Sequence, residues 1–298
     1  MAEIVFDVIA YFCNKQIDKR PRIHNNPLMN TAASVSVLLL MCGFIISCRQ
    51  QENEKLVWQD EFSYTGLPDT TKWAYDLGNG CPNLCGWGNN ELQFYTREPQ
   101  NARVENGLLI IEAHRVSDSA FTSARLVTRG KAQWKYSRIE VKARLPKGRG
   151  TWPAIWMLPA EWKYGGWPAS GEIDIMEHVG FDEDVVHGTL HSESFNHIKK
   201  TQREGIARVQ GVTSDFHVYE ADWTANQVVF KVDGKPYYTV QKSENDTWKE
   251  WPFDQEFYLI LNIAVGGFWG GMKGIDLSIW PQRLEIDYVR VYQRQTAR

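Results

Sequence analysis

The 298-residue sequence lacks an excess of charge of either sign. Its 33 Lys and Arg stand against 36 Asp and Glu, a formal net charge of −3. A nucleic-acid-binding chain carries a basic footprint, so that class is excluded. Long apolar runs are also missing. The longest, residues 32–46, has fifteen residues, whereas a spanning helix needs about 20. A multi-span membrane protein is therefore excluded. No linker, repeat or low-complexity stretch interrupts residues 56–292. No stretch of about 12 residues or more carries the 3.6-residue apolar stripe of an amphipathic helix. At 43% hydrophobic and 23% charged residues, disorder and collagen are excluded as well. Cysteine is scarce, five in all. Cys13, Cys42 and Cys48 precede the body of the chain, which keeps only Cys81 and Cys85. One Cys-x3-Cys pair supplies too few ligands for zinc. In an oxidising compartment these two loop cysteines are either free or joined in a small disulfide.

Aromatic residues are abundant: 13 Trp, 12 Tyr and 13 Phe, with every Trp at or after Trp58. Flat apolar rings that also hydrogen-bond suit sugar faces, and they equally suit a Trp-rich β-core. Composition leaves both readings open.

The N-terminus reads as an address. The fifteen-residue apolar run fits a signal-peptide core, with Lys15, Lys19, Arg20 and Arg22 upstream. It ends Ile45-Ile46-Ser47-Cys48, which resembles a bacterial lipobox, and the chain turns polar at once with Arg49-Gln50-Gln51-Glu52. Cys48 is then the lipidation site, and diacylation with N-acylation supplies the several chains that stable anchoring requires. The expected division is a leader over residues 1–47, a tether over 48–55 and one domain over 56–298. The expected location is outside the inner membrane, anchored at the outer membrane or cell surface of a Gram-negative bacterium.

Strand patterns fill the body. Ile139, Val141, Ala143 and Leu145 alternate with Glu140, Lys142 and Arg144, as in a half-buried strand. Val228–Val232 runs into Asp233-Gly234 and then Tyr237–Val240, a hairpin signal. Leu108–Ile111, Phe257–Ile263 and Ile286–Tyr292 are further strands. Many strands with Gly and Pro turns predict an all-β, two-sheet antiparallel sandwich of jelly-roll type.

The chemistry concentrates in Gly171-Glu172-Ile173-Asp174-Ile175-Met176-Glu177-His178. Alternation puts Glu172 and Asp174 on one face of a strand and Ile173 and Ile175 on the other, toward the core. Parity then sends Glu177 into the core, where an unpaired carboxylate is costly. One extra residue, a β-bulge near Met176, returns Glu177 to the acidic face, and bulges are frequent beside active sites. Three crowded carboxylates cannot all ionise together, so one keeps its proton near neutral pH. A protonated acid beside an ionised nucleophile, about 5–5.5 Å apart, is the requirement for glycoside hydrolysis with retention. His187 and His191 do not make a metal site: four residues of strand span about 13 Å.

This segment, with Gly166-Trp167-Pro168 before it, resembles the signature of glycoside hydrolase family sixteen, in the Glu-x-Asp-x-x-Glu form of its bacterial laminarinases. Trp58-Gln59-Asp60-Glu61-Phe62, Gly88-Asn89-Asn90-Glu91-Leu92-Gln93, Gly150-Thr151-Trp152-Pro153-Ala154-Ile155-Trp156-Met157, Gly188-Thr189-Leu190-His191 and Asp287-Tyr288-Val289-Arg290-Val291-Tyr292 follow in the family's order. The resemblance implies a jelly roll with a cleft across its concave, outward sheet. It makes Glu172 the nucleophile, Glu177 the acid/base and Asp174 the residue that tunes the nucleophile. It places Asn89, Arg125, Trp152, Trp156, Trp167 and His191 along the cleft. It also implies a structural calcium held by Glu61, the Gly107 carbonyl and Asp287, with no cofactor for catalysis. The expected protein is a monomeric endo-glucanase acting on β-1,3-glucan. Mixed-linkage glucan, a galactan, or glucan binding without cleavage are the alternatives.

Overall fold

The structure, a computed structural model, describes residues 54–295. The leader and Cys48 lie outside the described residues. In chain order the strands are β1 (Glu54–Asp60), β2 (Ala74–Asp76), β3 (Gln93–Tyr95), β4 (Ala102–Glu105), β5 (Leu108–Arg115) and β6 (Phe121–Ser123). There follow β7 (Arg125–Val127), β8 (Ser137–Arg144), β9 (Thr151–Pro159), β10 (Glu172–Glu177), β11 (Val185–His191) and β12 (Arg203–Arg208). The last are β13 (His217–Trp223), β14 (Gln227–Val232), β15 (Lys235–Gln241), β16 (Phe257–Val265) and β17 (Gln282–Arg294). Every strand segment predicted from alternation is a strand here. Among the described residues the single helical element is a short 3₁₀ turn, Cys85–Gly88.

One strand starts earlier than expected. β1 begins at Glu54 and pairs with the end of β17, Glu54 opposite Arg294. Glu54 and Lys55 thus belong to the folded domain, not to the tether. Alternation could not mark them, because β1 is an exposed or half-buried strand along most of its length.

The strands form two sheets. A ten-stranded sheet runs β15-β14-β13-β8-β17-β5-β6-β3, with β1 on β17 and β4 on β5. A seven-stranded sheet runs β12-β11-β10-β9-β16-β7-β2. Pairing is antiparallel except between β3 and β6. The inward faces supply one large core that includes Ile139, Val141, Ile155, Met157, Ile173, Leu259, Leu261, Val289 and Val291. These alternate along their strands, as a sandwich requires. The β14–β15 hairpin turns at Asp233-Gly234, both with positive φ (51° and 72°), the conformation that selects Asp-Gly there.

The Trp residues divide between the two roles left open by composition. Trp73, Trp134, Trp223 and Trp251 are buried core residues. Trp87, Trp152, Trp156, Trp167 and Trp269 gather instead around the open face of the seven-stranded sheet, as described next.

Candidate active site

Strand β10 lies inside the seven-stranded sheet, between β9 and β11, and its register is broken where the parity argument required. Against β9, Asp174 faces Trp156 and Met176 faces Ile155, so two residues of β10 span one of β9. Against β11, Asp174 faces Thr189 and Glu177 faces His187. Ile175 and Met176 both enter the core. The extra residue turns Glu177 outward, onto the face of Glu172 and Asp174.

Each glutamate is held by an indole. Trp152 Nε1 donates to Glu177 Oε1 at 3.0 Å. Trp167 Nε1 donates to Glu172 Oε2 at 2.8 Å. An indole N–H only donates, so Glu177 Oε1 is held as an acceptor and Oε2 is left as the oxygen able to carry a transferable proton. Asp174 is buried, at 2% exposure, and its charge acts on Glu172. His191 Nε2 lies 3.3 Å from Asp174 Oδ2 and 3.8 Å from Glu172 Oε1.

Burial pushes the Glu172 carboxyl well above the usual carboxylate range, and the Asp174 charge adds to it. Asp174 is raised by burial and then by Glu177. Burial also raises Glu177, while His191, the Trp152 hydrogen bond and His187 pull it back. All three acids are therefore biased toward sharing protons, as crowding predicts.

Of the other residues placed in the cleft by sequence, Trp152 and Trp156 share one face of β9, both half-buried. Trp156 donates to Asn262 at 2.7 Å, and the Arg125 guanidinium lies 4.7 Å from its ring. The Trp87 ring lies 4.5 Å from the same guanidinium, and Asp76 pairs with it at 3.1 Å. Arg125 is thus a buried support beside two indoles, not a free donor on the surface. Trp156 has one face occupied by that support. Asn89 Nδ2 donates to Glu91 at 3.2 Å. Trp87 and Asn89 follow directly on the small loop that the Cys81–Cys85 disulfide closes, and the cysteine pair is bonded. Glu61 and Asp287 each meet a cation: Arg290 grips Glu61 with two bonds of 2.7 and 2.8 Å, and Lys142 lies 2.7 Å from Asp287.

Three residues of this face were given no role in the site by the sequence reading, which weighed His187 only as a metal ligand. Trp269 packs edge-on against both Trp152 and His187, with ring centroids 5.5 and 4.8 Å away. The turn that brings it there is glycine-rich by necessity. A Cβ at Gly270 would lie 2.8 Å from Trp152 Cβ. His187 Nδ1 sits 2.6 Å from Glu204 Oε1. The Gly266-Gly267…Gly270-Gly271 pattern around Trp269 was a readable signal of close approach. Glu204, on an edge strand, gave none.

Two carboxyls on one bulged strand, each oriented by an indole and flanked by aromatic faces, define a carbohydrate-cleaving site of the glycoside hydrolase class. Residues 89–290 match the family described as Glycosyl hydrolases family 16, and the chain belongs to that family. It is 50% identical over 284 residues to a beta-glucanase of Rhodothermus marinus, covering 92% of this chain and 98% of that protein. The solved structure of the laminarinase from Rhodothermus marinus superposes with a TM-score of 0.78 at 54% identity, covering 82% of this chain and 98% of that one. The laminarinase catalytic domain from Thermotoga maritima superposes with a TM-score of 0.75 at 42% identity, covering 82% of this chain and 100% of that one.

Proposed function

We propose that this glycoside hydrolase is an endo-acting β-1,3-glucanase that retains anomeric configuration. The observation that carries the reading is the bulge, which brings Glu172 and Glu177 to one face with a separate indole donor on each. The similarity to laminarinases supplies the substrate class. Glu177 donates the Oε2 proton to the glycosidic oxygen as the bond breaks. Glu172 attacks the anomeric carbon and forms a glycosyl-enzyme. Glu177, now ionised, takes a proton from water, which displaces Glu172. Asp174, through its charge, raises the pH range over which Glu172 holds its proton, and His191 faces both. Trp152 and Trp156 offer ring surface to the sugars, with Asn89, Trp167 and His191 beside them and Arg125 beneath. The protein should release reducing sugar from laminarin faster than from mixed-linkage glucan or agar-type galactan. Retention of laminarin without sugar release would make it a binding protein instead.

The reading extends to the whole protein. Lipidation at Cys48 would hold the monomeric enzyme on the outer membrane, facing its polysaccharide. A structural calcium would use Glu61, the Gly107 carbonyl and Asp287, hard oxygen ligands of the type it prefers. Both side chains are more than a third exposed, so an ion competes there with Arg290 and Lys142. If calcium binds, a chelator lowers Tm. An unchanged Tm would leave the two ion pairs as sole partners of these acids.

A further inference from the structure

The acid/base has two neighbours across its strand, and the mechanism above uses one. On the β9 side Trp152 donates to Glu177 Oε1. On the β11 side Glu177 stands in register with His187. His187 is 7% exposed, too buried for an ordinary surface histidine. Its Nδ1 is fixed at 2.6 Å from Glu204 Oε1 on β12. That contact holds the Glu204 carboxyl below the usual range, as a charge-assisted bond should. Trp269 closes the circle. Its ring meets His187 at 87° and Trp152 at 77°, so the indole that holds Glu177 and the imidazole that faces it share one packed wall.

We infer that His187, clamped by Glu204, is a positioning residue for the acid/base, closing the side of Glu177 opposite Trp152 and setting the pH range over which that carboxyl both gives and takes the glycosidic proton. The inference rests on Glu177 being the acid/base. A retaining cycle needs this group protonated in its first half and ionised in its second, so its acidity must sit near the working pH. Titratable groups face it from its own strand and from β11 and β12. Glu172 and Asp174 on its own strand and Glu204 on β12 favour the proton. His187 and His191 on β11 oppose it, and Trp152 helps them with its N–H. β9 carries no ionisable group. Removing His187 while Glu204 stays tips this balance toward the protonated form.

The test is the pH dependence of kcat/KM on laminarin for His187→Phe, which keeps the ring against Trp269, and for His187→Gln, which keeps a donor for Glu204. Both should move the alkaline limb upward by about one pH unit, the size of effect a nearby charge exerts. Glu204→Leu should lower kcat about tenfold, because His187 loses its anchor, and Glu204→Gln should restore most of that loss. Glu177→Gln, run alongside, should abolish turnover. If His187→Phe and His187→Gln lose thermal stability but keep the wild-type limb, His187 is merely structural and the inference fails. If His187→Phe does not fold, His187→Gln alone decides. A wild-type protein that releases no sugar would overturn the hydrolase reading itself, a separate outcome.

Discussion

At the scale of single residues, Glu172 and Glu177 look alike in sequence and differ in what loss of each should do. Glu177→Ala leaves the nucleophile in place. With an aryl glucoside bearing a good leaving group, the glycosyl-enzyme should still form and then accumulate, because its breakdown lacks a base. Azide needs no base and should restore turnover as a β-glycosyl azide, formed by two inversions. Loss of general acid–base help should slow laminarin hydrolysis by about 10²–10⁴-fold. In Glu172→Ala, azide enters the vacated space and should give the α-azide by one inversion. Product configuration by proton NMR distinguishes the two. An α-configured first product from the native enzyme would mean inversion, with carboxyls about 6.5–9.5 Å apart, and would sink the nucleophile assignment.

At the scale of the strand, β10 carries a cost that can be measured. Its acids hold protons to higher pH in the native state than in the unfolded chain. Over the window from the ordinary carboxylate range up to their raised native values, the native state binds more protons. Stability therefore falls as pH rises through that window. Glu172→Gln removes one of these groups and keeps its shape. Its Tm should exceed wild type, with a gain larger at pH 8 than at pH 4. Equal gains at both pH values would mean the benefit is not electrostatic. This strand was also the most legible element of the sequence. The isoleucines declare the core face, and the cost of burying Glu177 demands the extra residue. The register break between Asp174 and Met176 meets that demand. Arg125 was less legible, because its neighbours Trp87, Trp156 and Asp76 reach it from three separate parts of the chain.

At the scale of the whole molecule, the expected location depends on one atom of sulfur. Cys48→Ala should move the enzyme from the membrane fraction to a soluble one. If it stays with the membrane, residues 32–46 act as an uncleaved anchor and the lipobox reading is wrong. The two-sheet sandwich itself followed from the sequence, since strand alternation and turn chemistry are local and each strand declares its buried face alone. The acidic face and its bulge followed for the same reason: parity and the cost of a buried charge act within six residues, Glu172 to Glu177. What only the tertiary structure decided is which residues surround those acids. Trp269 reaches Trp152 across 117 positions of sequence, and Glu204 reaches His187 from a neighbouring strand. The partition of the Trp residues between core and open face was settled in the same way. Such contacts depend on strand order, loop path and the close approach that Gly270 permits, and a pattern that repeats every two residues carries no information about them.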